Sequence, residues 1–253
     1  MISKLAYFRT AVSAAALLFG GGARATPSIS PQVAAAITDP ARPAADRAMD
    51  AARHPAELIA MIGLHPRDVI ADIWPGDYWD RLFSDVVGPS GKVYAVHLLE
   101  GDKDDHIVTP VAGALSLPGH ANVVAVVNHV NAFRLPVQAD VIWIRNNYHD
   151  LYDPFMGPAD VPAFNKAVFR SLKRGGRFVV IDHVAPAGSK LASTDTTHRI
   201  DPEVVKVDMA AAGFRFVGES NLLRNPSDPH TTKVFDAAVR GHTDEFVFVF
   251  QRP

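Results

Sequence analysis

The sequence predicts an α/β fold with a doubly wound, mostly parallel seven-stranded sheet whose C-terminal strand is antiparallel. From residue 68 onward, short and almost wholly apolar runs alternate with amphipathic segments. Apolar runs of this length are typical of parallel strands that helices cover on both faces. The last two runs are joined by a long segment without helical periodicity, which indicates that the final strand enters the sheet antiparallel.

Each strand and helix is justified by its own local pattern. Apolar runs predict strands at 68–74, 91–98, 122–130, 139–147, 177–184, 214–220 and 245–253. Helical spacing of apolar residues predicts helices within 42–64, 78–88, 161–176 and 201–213. Pro55 suits the first turn of a second helix within the first of these ranges, and Gly88 suits a helix end.

The N-terminal residues 1–25 have the pattern of a signal peptide. Lys4 and Arg9 precede an apolar stretch at 11–22 that is too short to span a bilayer, and Ala-Arg-Ala follows at 23–25. This order of basic, apolar and small residues predicts export to the periplasm, cleavage near Ala25 and no stable membrane anchor. A buried N-terminal helix is the alternative, but three consecutive glycines end the apolar stretch.

The rest of the chain is expected to form one domain. Residues 26–42 are rich in Pro, Ala and Ser and predict an extended arm, and residues 43–253 are long enough for a single core. The formal net charge is −2 and no long basic run occurs, so a nucleic-acid partner is not indicated. The chain has no cysteine, which excludes disulfides, a cysteine nucleophile and a thiolate zinc site.

Polar side chains follow most of the predicted strands at their carboxyl ends. In open α/β sheets, ligands bind outside these ends. Side chains far apart in the sequence are therefore expected to converge on one rim. The candidates are Asp72, Trp74, Gly76, Asp77, His97, Asn131, Asn146, Tyr148, His149, Asp150 and His183.

Several stretches resemble class I S-adenosylmethionine-dependent methyltransferases. "LKRGGRFVVIDH" (172–183) and the closing pair of strands are similar to the family's fifth strand and its inserted last strand. "NNYHDLY" (146–152), "THRIDPEVVKVDMAAAGF" (197–214) and "VFDAAVRGHTDEFVFVF" (234–250) resemble a bacterial subgroup of predicted methyltransferases that are often exported. The resemblance covers roughly residues 43 to 252. It implies the class I fold, S-adenosylmethionine as cofactor and a small-molecule methyl acceptor.

The turn after the first strand departs from the family's pattern. Class I methyltransferases typically carry acid-x-Gly-x-Gly-x-Gly there, because glycines let the backbone approach the methionine part of the cofactor. This chain has "DIWPGDYWD" (72–80), in which Asp72 matches the acid and Gly76 matches one glycine. Trp74 and Asp77 flank that glycine. The resemblance places all four residues against the cofactor, in a remodelled turn.

Two further cofactor contacts also depart from the pattern. His97 stands where the family has a ribose-binding acid, with Glu100 three residues further on. Asn131 takes the acid's place in "NAFRLP" (131–136), which resembles the adenine-side motif. Asn146, at the end of the fourth strand, completes the expected cofactor contacts. These departures leave binding of S-adenosylmethionine open. Export is a second reason, since an exported protein is separated from the cytoplasm where that cofactor is made.

The catalytic candidates lie after the fourth and fifth strands. The resemblance implies substrate-handling groups at Tyr148, His149 and Asp150. A histidine can take a proton from an acceptor near neutral pH, and Asp150 or Asp182 could hold its other nitrogen. His183 ends the fifth strand beside Asp182. The alternative interpretation is a His-Asp pair that only caps the next helix.

Three regions are candidates for substrate contact or for a lid. Trp79 flanks the first turn and could wall an aromatic substrate. His198 and Arg199 precede a helix that Asp201 is expected to cap, and Arg199 could bind a carboxylate. Loops as long as the one joining the last two strands are usually functional or disordered. In this loop, two interpretations fit Arg224, His230 and Arg240. They could form a lid over the site, or belong to a buried network of Arg-Asp pairs that holds the loop.

A metal site and two non-methyltransferase functions are the alternatives. His149, Asp150, Asp182, His183, His198 and Asp201 supply donors for a divalent ion, but no short His-x-x-x-His spacing occurs, so the sequence assigns no metal site. An exported enzyme of the same fold could use acid-base or metal-assisted chemistry at His149 without S-adenosylmethionine. A periplasmic small-molecule binding protein could use the same pocket.

Overall fold

The sheet has the predicted number and order of strands. A computed structural model describes residues 28–101 and 117–253, so the predicted signal peptide at 1–25 lies outside the described residues. Within the described part of the chain, one mixed sheet has the strand order β3-β2-β1-β4-β5-β7-β6. The strands are β1 Val69–Ile73, β2 Lys92–Leu98, β3 Val123–Asn128, β4 Ala139–Arg145, β5 Leu172–His183, β6 Arg215–Ser220 and β7 Glu245–Gln251.

The direction of the strands confirms the predicted fold class. Among themselves, strands β1 to β5 pair only in parallel. Strand β7 pairs antiparallel with both β5 and β6. The last strand is therefore inserted between β5 and β6 rather than added at the edge. Its sequence EFVFVFQ is buried at every position but the last, as an inserted strand with neighbours on both sides requires.

Helices cover both faces of the sheet. Their ends follow the expected signals: Gly88 ends the helix after β1, and the side chain of Asp201 accepts a hydrogen bond from the amide of Glu203 at the start of the last helix. None of the described helices is both long and apolar enough to cross a bilayer. The helices are α1 Pro31–Thr38, α2 Ala44–Arg53, α3 Pro55–Ile62, α4 Asp77–Val87, α5 Val161–Ser171, α6 Thr194–Thr197 and α7 Pro202–Ala212.

Two elements differ from the sequence-based expectation. The expected extended arm at 26–42 contains α1, which begins with the cap Ser30 and buries Val33 and Ala36. Only these two side chains are fully buried, with Ile37 packed beside them, so the helix leaves a weak periodic signal. The helix expected at 161–176 ends at Ser171, because Leu172 turns extended and Gly175 donates its amide to the carbonyl of Arg252. Residues 172–176 therefore belong to β5.

An aromatic cluster between α4 and the sheet contains Trp79. Its ring centroid lies 4.9 Å from that of Trp143 and 5.8 Å from that of Phe83. Trp143 is fully buried within β4, as the sequence favoured, and Trp79 is only 5% exposed. Because Trp79 and Phe83 are four residues apart on one helix face, both point into the core. The expectation that Trp79 contacts a substrate is therefore not met.

Candidate functional site

A cavity of about 900 Å³ lies at the carboxyl ends of β1, β2, β4 and β5. Its size falls within the range of about 300–1,000 Å³ that is usual for small-molecule sites. Sequence order reverses between β1 and β4, so the cavity is at the topological switch point. Eight of the residues singled out from the sequence border it: Trp74, His97, Asn146, His149, Asp150, His183, His198 and Arg240.

The turn after β1 is built around an indole. Trp74 has a φ of 59°, a left-handed conformation that bulky residues rarely adopt. A Cβ on Gly101 would lie 2.6 Å from Trp74 Nε1, so the indole covers the end of β2. Gly76 is exposed and extended, and no atom lies within 4 Å of where its Cβ would be. Asp77 is exposed too and pairs with Arg81 at 3.1 Å.

Asp72 lies beneath this turn and does not border the cavity. It is 2% exposed at the end of β1. Burial, together with the nearby charge of Asp80, raises the pKa of Asp72 well above its usual value. The side chain supports the turn from below, so the residue that matches the family's acid is placed to act through the turn rather than on a ligand.

The ends of β2 and β3 lack the contacts that the resemblance implied for ribose and adenine. Glu100 is turned away from the cavity and accepts hydrogen bonds from the amide of Val130 at 2.9 Å and from His129 at 3.1 Å. Asn131 donates to the carbonyl of Pro158 and accepts from the amide of Asp160, so its amide group is used within the chain. Of the residues expected at these two ends, only His97 borders the cavity.

A buried cluster around His149 forms the cavity floor. His149 Nδ1 lies 2.8 Å from Asp182 Oδ1, and the amide of His149 donates to Asp182 Oδ2 at 2.8 Å. On the other side of the ring, Nε2 lies 3.1 Å from Asp150 Oδ1 and 3.4 Å from His198 Nδ1. His149 is 2% exposed, so its ring is fixed between two carboxylates at the edge of the cavity.

The charges around His149 do not suit the expected general base. Burial lowers the pKa of His149, but the charges of Asp182 and Asp150 outweigh burial and hold that pKa well above its usual value. The two carboxylates therefore favour the protonated imidazole, which makes His149 a poor proton acceptor. His183 is different, because burial lowers its pKa to about 3 and leaves it neutral, with Nδ1 2.8 Å from Thr243 Oγ1.

Tyr148 is in the core and does not border the cavity. It is fully buried, its hydroxyl donates to Asp208 at 3.0 Å and it accepts from Asn165 at 2.8 Å. The side chains of these two consecutive residues point in different directions, so His149 faces the cavity and Tyr148 packs against the helices. The expected catalytic contact of Tyr148 is therefore replaced by a structural hydrogen-bond chain.

Three residues expected to contact substrate or to form a lid instead pin the long loop between β6 and β7. Arg199 is fully buried and makes two hydrogen bonds to Asp228, at 2.8 and 3.0 Å. Arg224 and His230 both pair with Asp244, at 2.7 and 2.9 Å. This is the buried network that the sequence left as an alternative. Of the loop residues singled out from the sequence, only Arg240 borders the cavity.

The cavity also contains residues that sequence reasoning did not single out. Arg145 and Asn147 lie in the same polar run as His149, so the run itself was a sufficient signal. Lys233 and Phe235 come from the long loop, and no local pattern marks them. Asp153 joins the His149 cluster from behind, and its spacing of three residues from Asp150 was a readable signal.

Comparison with solved structures identifies the fold. The chain is similar to a SAM-dependent methyltransferase from Aquifex aeolicus, with 17% identity, a TM-score of 0.55 and coverage of 81% of this chain and 93% of the other. It is also similar to the glycopeptide N-methyltransferase MtfA, with 15% identity, a TM-score of 0.52 and coverage of 81% and 91%. MtfA complexed with sinefungin matches with 15% identity, a TM-score of 0.51 and coverage of 80% and 85%.

The chain therefore has the class I methyltransferase fold. No family model matches the sequence, and no curated protein matches it. At these identities the similarity establishes a shared fold, and the chemistry has to be argued from the cavity itself.

The Arg199–Asp228 pair yields a stability prediction. Asp228→Asn leaves the Arg199 guanidinium buried without its counter-charge, so we expect the free energy of unfolding to fall by about 3–5 kcal/mol. Urea denaturation of the purified protein measures this. Glu203→Gln is the control, since Glu203 pairs with Lys206 on the surface and is 73% exposed, and its loss should be below about 1 kcal/mol. Equal losses in the two variants would contradict a structural role for the buried pair.

Proposed function

We propose that this protein is an S-adenosylmethionine-dependent methyltransferase that acts on a small molecule in the 900 Å³ cavity. The observation that carries the proposal is the position of the cavity. It lies at the switch point between β1 and β4, where open α/β sheets bind their ligands, in a fold shared with methyltransferases.

The cavity wall suits the cofactor on one side and departs from the family on the other. Gly76 follows Pro75, which lines the cavity, and has open space where a Cβ would be, so the methionine part could extend along its backbone. The side-chain amide oxygen Oδ1 of Asn146 is buried at the wall with no hydrogen-bond donor among the described residues. It therefore suits an N–H or O–H group of a ligand. At the end of β2, His97 stands in place of the ribose-binding acid. The proposed cofactor turn is thus a remodelled one, with Trp74 at its centre.

The chain's own contribution to catalysis would be positioning. Bound S-adenosylmethionine supplies an electrophilic methyl group. Arg145 is held by Glu245 through two hydrogen bonds at 3.0–3.1 Å, and Asn146 donates to the same carboxylate, so this part of the wall is rigid. Fixed placement of two reactants can supply several kcal/mol of rate enhancement without a proton transfer.

The charges at the cavity favour an anionic acceptor. The raised pKa of His149 makes it a poor acceptor for the proton of a neutral nucleophile, whereas a carboxylate or an ionised phenol has no proton to lose. Lys233 and Arg240 border the cavity and form no ion pair with a described residue. Trp74, Phe155 and Phe235 supply aromatic surface. We therefore propose a small aromatic acid as the acceptor class.

A same-fold enzyme that does not use S-adenosylmethionine is the second candidate. The observation that favours it is the indole of Trp74, which packs against Gly101 just beyond the end of β2, on the side where a ribose would lie. A small-molecule binding protein would share the cavity without turnover. Cofactor binding separates the first function from both.

Titration calorimetry with S-adenosylmethionine and S-adenosylhomocysteine tests the cofactor. We expect micromolar dissociation constants, and at least tenfold weaker binding for Gly76→Val, a loss of about 1.4 kcal/mol. A side chain at Gly76 meets open space and extended backbone, so the variant should unfold at the same temperature as the wild type. No heat at millimolar ligand from the folded wild-type protein would reject methyl transfer and leave the other two functions.

The acceptor class is tested by release of S-adenosylhomocysteine with 4-hydroxybenzoate and with its uncharged methyl ester. We expect Arg240→Gln to raise the KM for the acid about tenfold, because the guanidinium attracts the carboxylate. The KM for the ester should not change. Lys166→Gln, at an exposed position on α5, is the charge-matched control. Better turnover of the ester than of the acid by the wild-type protein would contradict an anionic acceptor.

We also propose export, which rests on the pattern of residues 1–25. The mature chain isolated from the periplasmic fraction is expected to begin near Thr26, as measured by intact mass. A chain that keeps its N-terminus in the cytoplasmic fraction would refute export, and it would remove the problem of cofactor supply at the same time.

A further inference from the structure

Four donor groups converge at the floor of the cavity. One ligand atom each from His149, Asp150, Asp153 and His198 lies within 4.8 Å of the other three. The distances between three of them are 3.1 Å for His149 Nε2 to Asp150 Oδ1, 3.4 Å for His149 Nε2 to His198 Nδ1, and 3.7 Å for His198 Nδ1 to Asp150 Oδ1. Tetrahedral ligands at about 2.0–2.1 Å from a metal ion are about 3.4 Å apart. The three atoms already have this spacing.

The burial of the Asp153 carboxylate is not explained by hydrogen bonds to the surrounding protein. Asp153 is 2% exposed, yet neither carboxylate oxygen makes a hydrogen bond of normal geometry among the described residues, and the Thr194 hydroxyl is only a weak neighbouring donor. Asp153 precedes the short 3₁₀ helix Pro154–Met156, but its side chain does not cap that helix. A buried carboxylate without donors is costly unless a cation accompanies it.

Neighbouring side chains orient the cluster as they do in metal sites. Asp182 holds His149 Nδ1, which leaves Nε2 directed at the other donors. Asn147 donates to Asp150 Oδ2 at 2.8 Å, which leaves Oδ1 directed at the same point. Carboxylates and amides behind the ligands are typical of metal centres, where they fix the ring and the carboxylate in place.

A hydrogen-bonded network without a ligand is the competing explanation. It accounts for Asp182, His149 and Asp150, which satisfy one another. It does not account for Asp153, whose carboxylate receives no hydrogen bond of normal geometry.

We propose that His149, Asp150, Asp153 and His198 bind one divalent first-row transition-metal ion, with Zn²⁺ as the expected occupant. Two imidazole and two carboxylate donors suit Zn²⁺, whereas Mg²⁺ and Ca²⁺ prefer oxygen alone. His149, Asp150 and His198 border the cavity, so a molecule in the cavity can reach the ion. The site does not require methyl transfer, but the ion and a proton compete for His149 Nε2, because only neutral imidazole binds a metal. It goes beyond the sequence, which assigned no metal site.

Calorimetric titration of Zn²⁺ into the chelator-treated, untagged full chain tests the proposal. We expect one ion per chain with a dissociation constant of about 10 µM or tighter. Asp153→Asn and His198→Asn should each weaken binding at least tenfold. Asparagine tolerates the left-handed backbone of His198, whose φ is 53°, so that variant should fold. Asp195→Asn is the matched control, since Asp195 borders the same cavity but lies outside the cluster.

Thermal unfolding of the metal-free proteins separates binding from a structural role. Asp153→Asn removes an unpaired buried charge, so its unfolding temperature should equal or exceed that of the wild type, while the stabilisation by Zn²⁺ should be lost. The proposal is overturned if the wild type does not bind Zn²⁺, if both variants keep wild-type affinity, or if Asp195→Asn weakens binding as much as they do. Mg²⁺ binding as tight as that of Zn²⁺ would also overturn the assignment.

Discussion

The arrangement of the cavity depends on the carboxylate of Asp182. This fully buried group at the end of β5 accepts hydrogen bonds from the amides of His149 and His183 and pairs with the ring of His149. It joins the end of β5 to the segment that follows β4. Because it holds Nδ1 of His149, the Nε2 atom of that ring is directed toward the cavity. Because the group is shielded from water, each of these bonds is strong and the floor is rigid.

The inserted strand β7 governs the other side of the cavity. Antiparallel insertion brings the loop between β6 and β7 back over the carboxyl ends of the parallel strands. Asp228 and Asp244 pair with Arg224 and His230 of that loop and with Arg199, which precedes α7. Those cations are therefore used to hold the loop, and only Lys233 and Arg240 remain to face a ligand. One part of the loop is held in place by ion pairs, and another part presents two cations to the cavity.

Charge is separated across the cavity. The floor around His149 is rich in carboxylates and suits a cation, whereas the wall from the long loop is basic and suits an anion. A bound metal ion and an anionic molecule are compatible in such a cavity, since each meets charge of opposite sign. The indole of Trp74 borders the same cavity and packs against Gly101, just beyond the end of β2.

The sequence by itself determined the fold class, all seven strands and the polar run after β4, because continuous apolar strands and caps such as Asp201 and Gly88 are local signals. It also brought His149, Asp150 and His198 under consideration. Tertiary structure alone decided which side chains face the cavity. Arg199 and Arg240 look alike in the sequence, yet one is buried against Asp228 and the other borders the cavity. Trp79 and Asp153 were likewise decided by packing, since burial and the absence of a donor depend on residues far away in the chain.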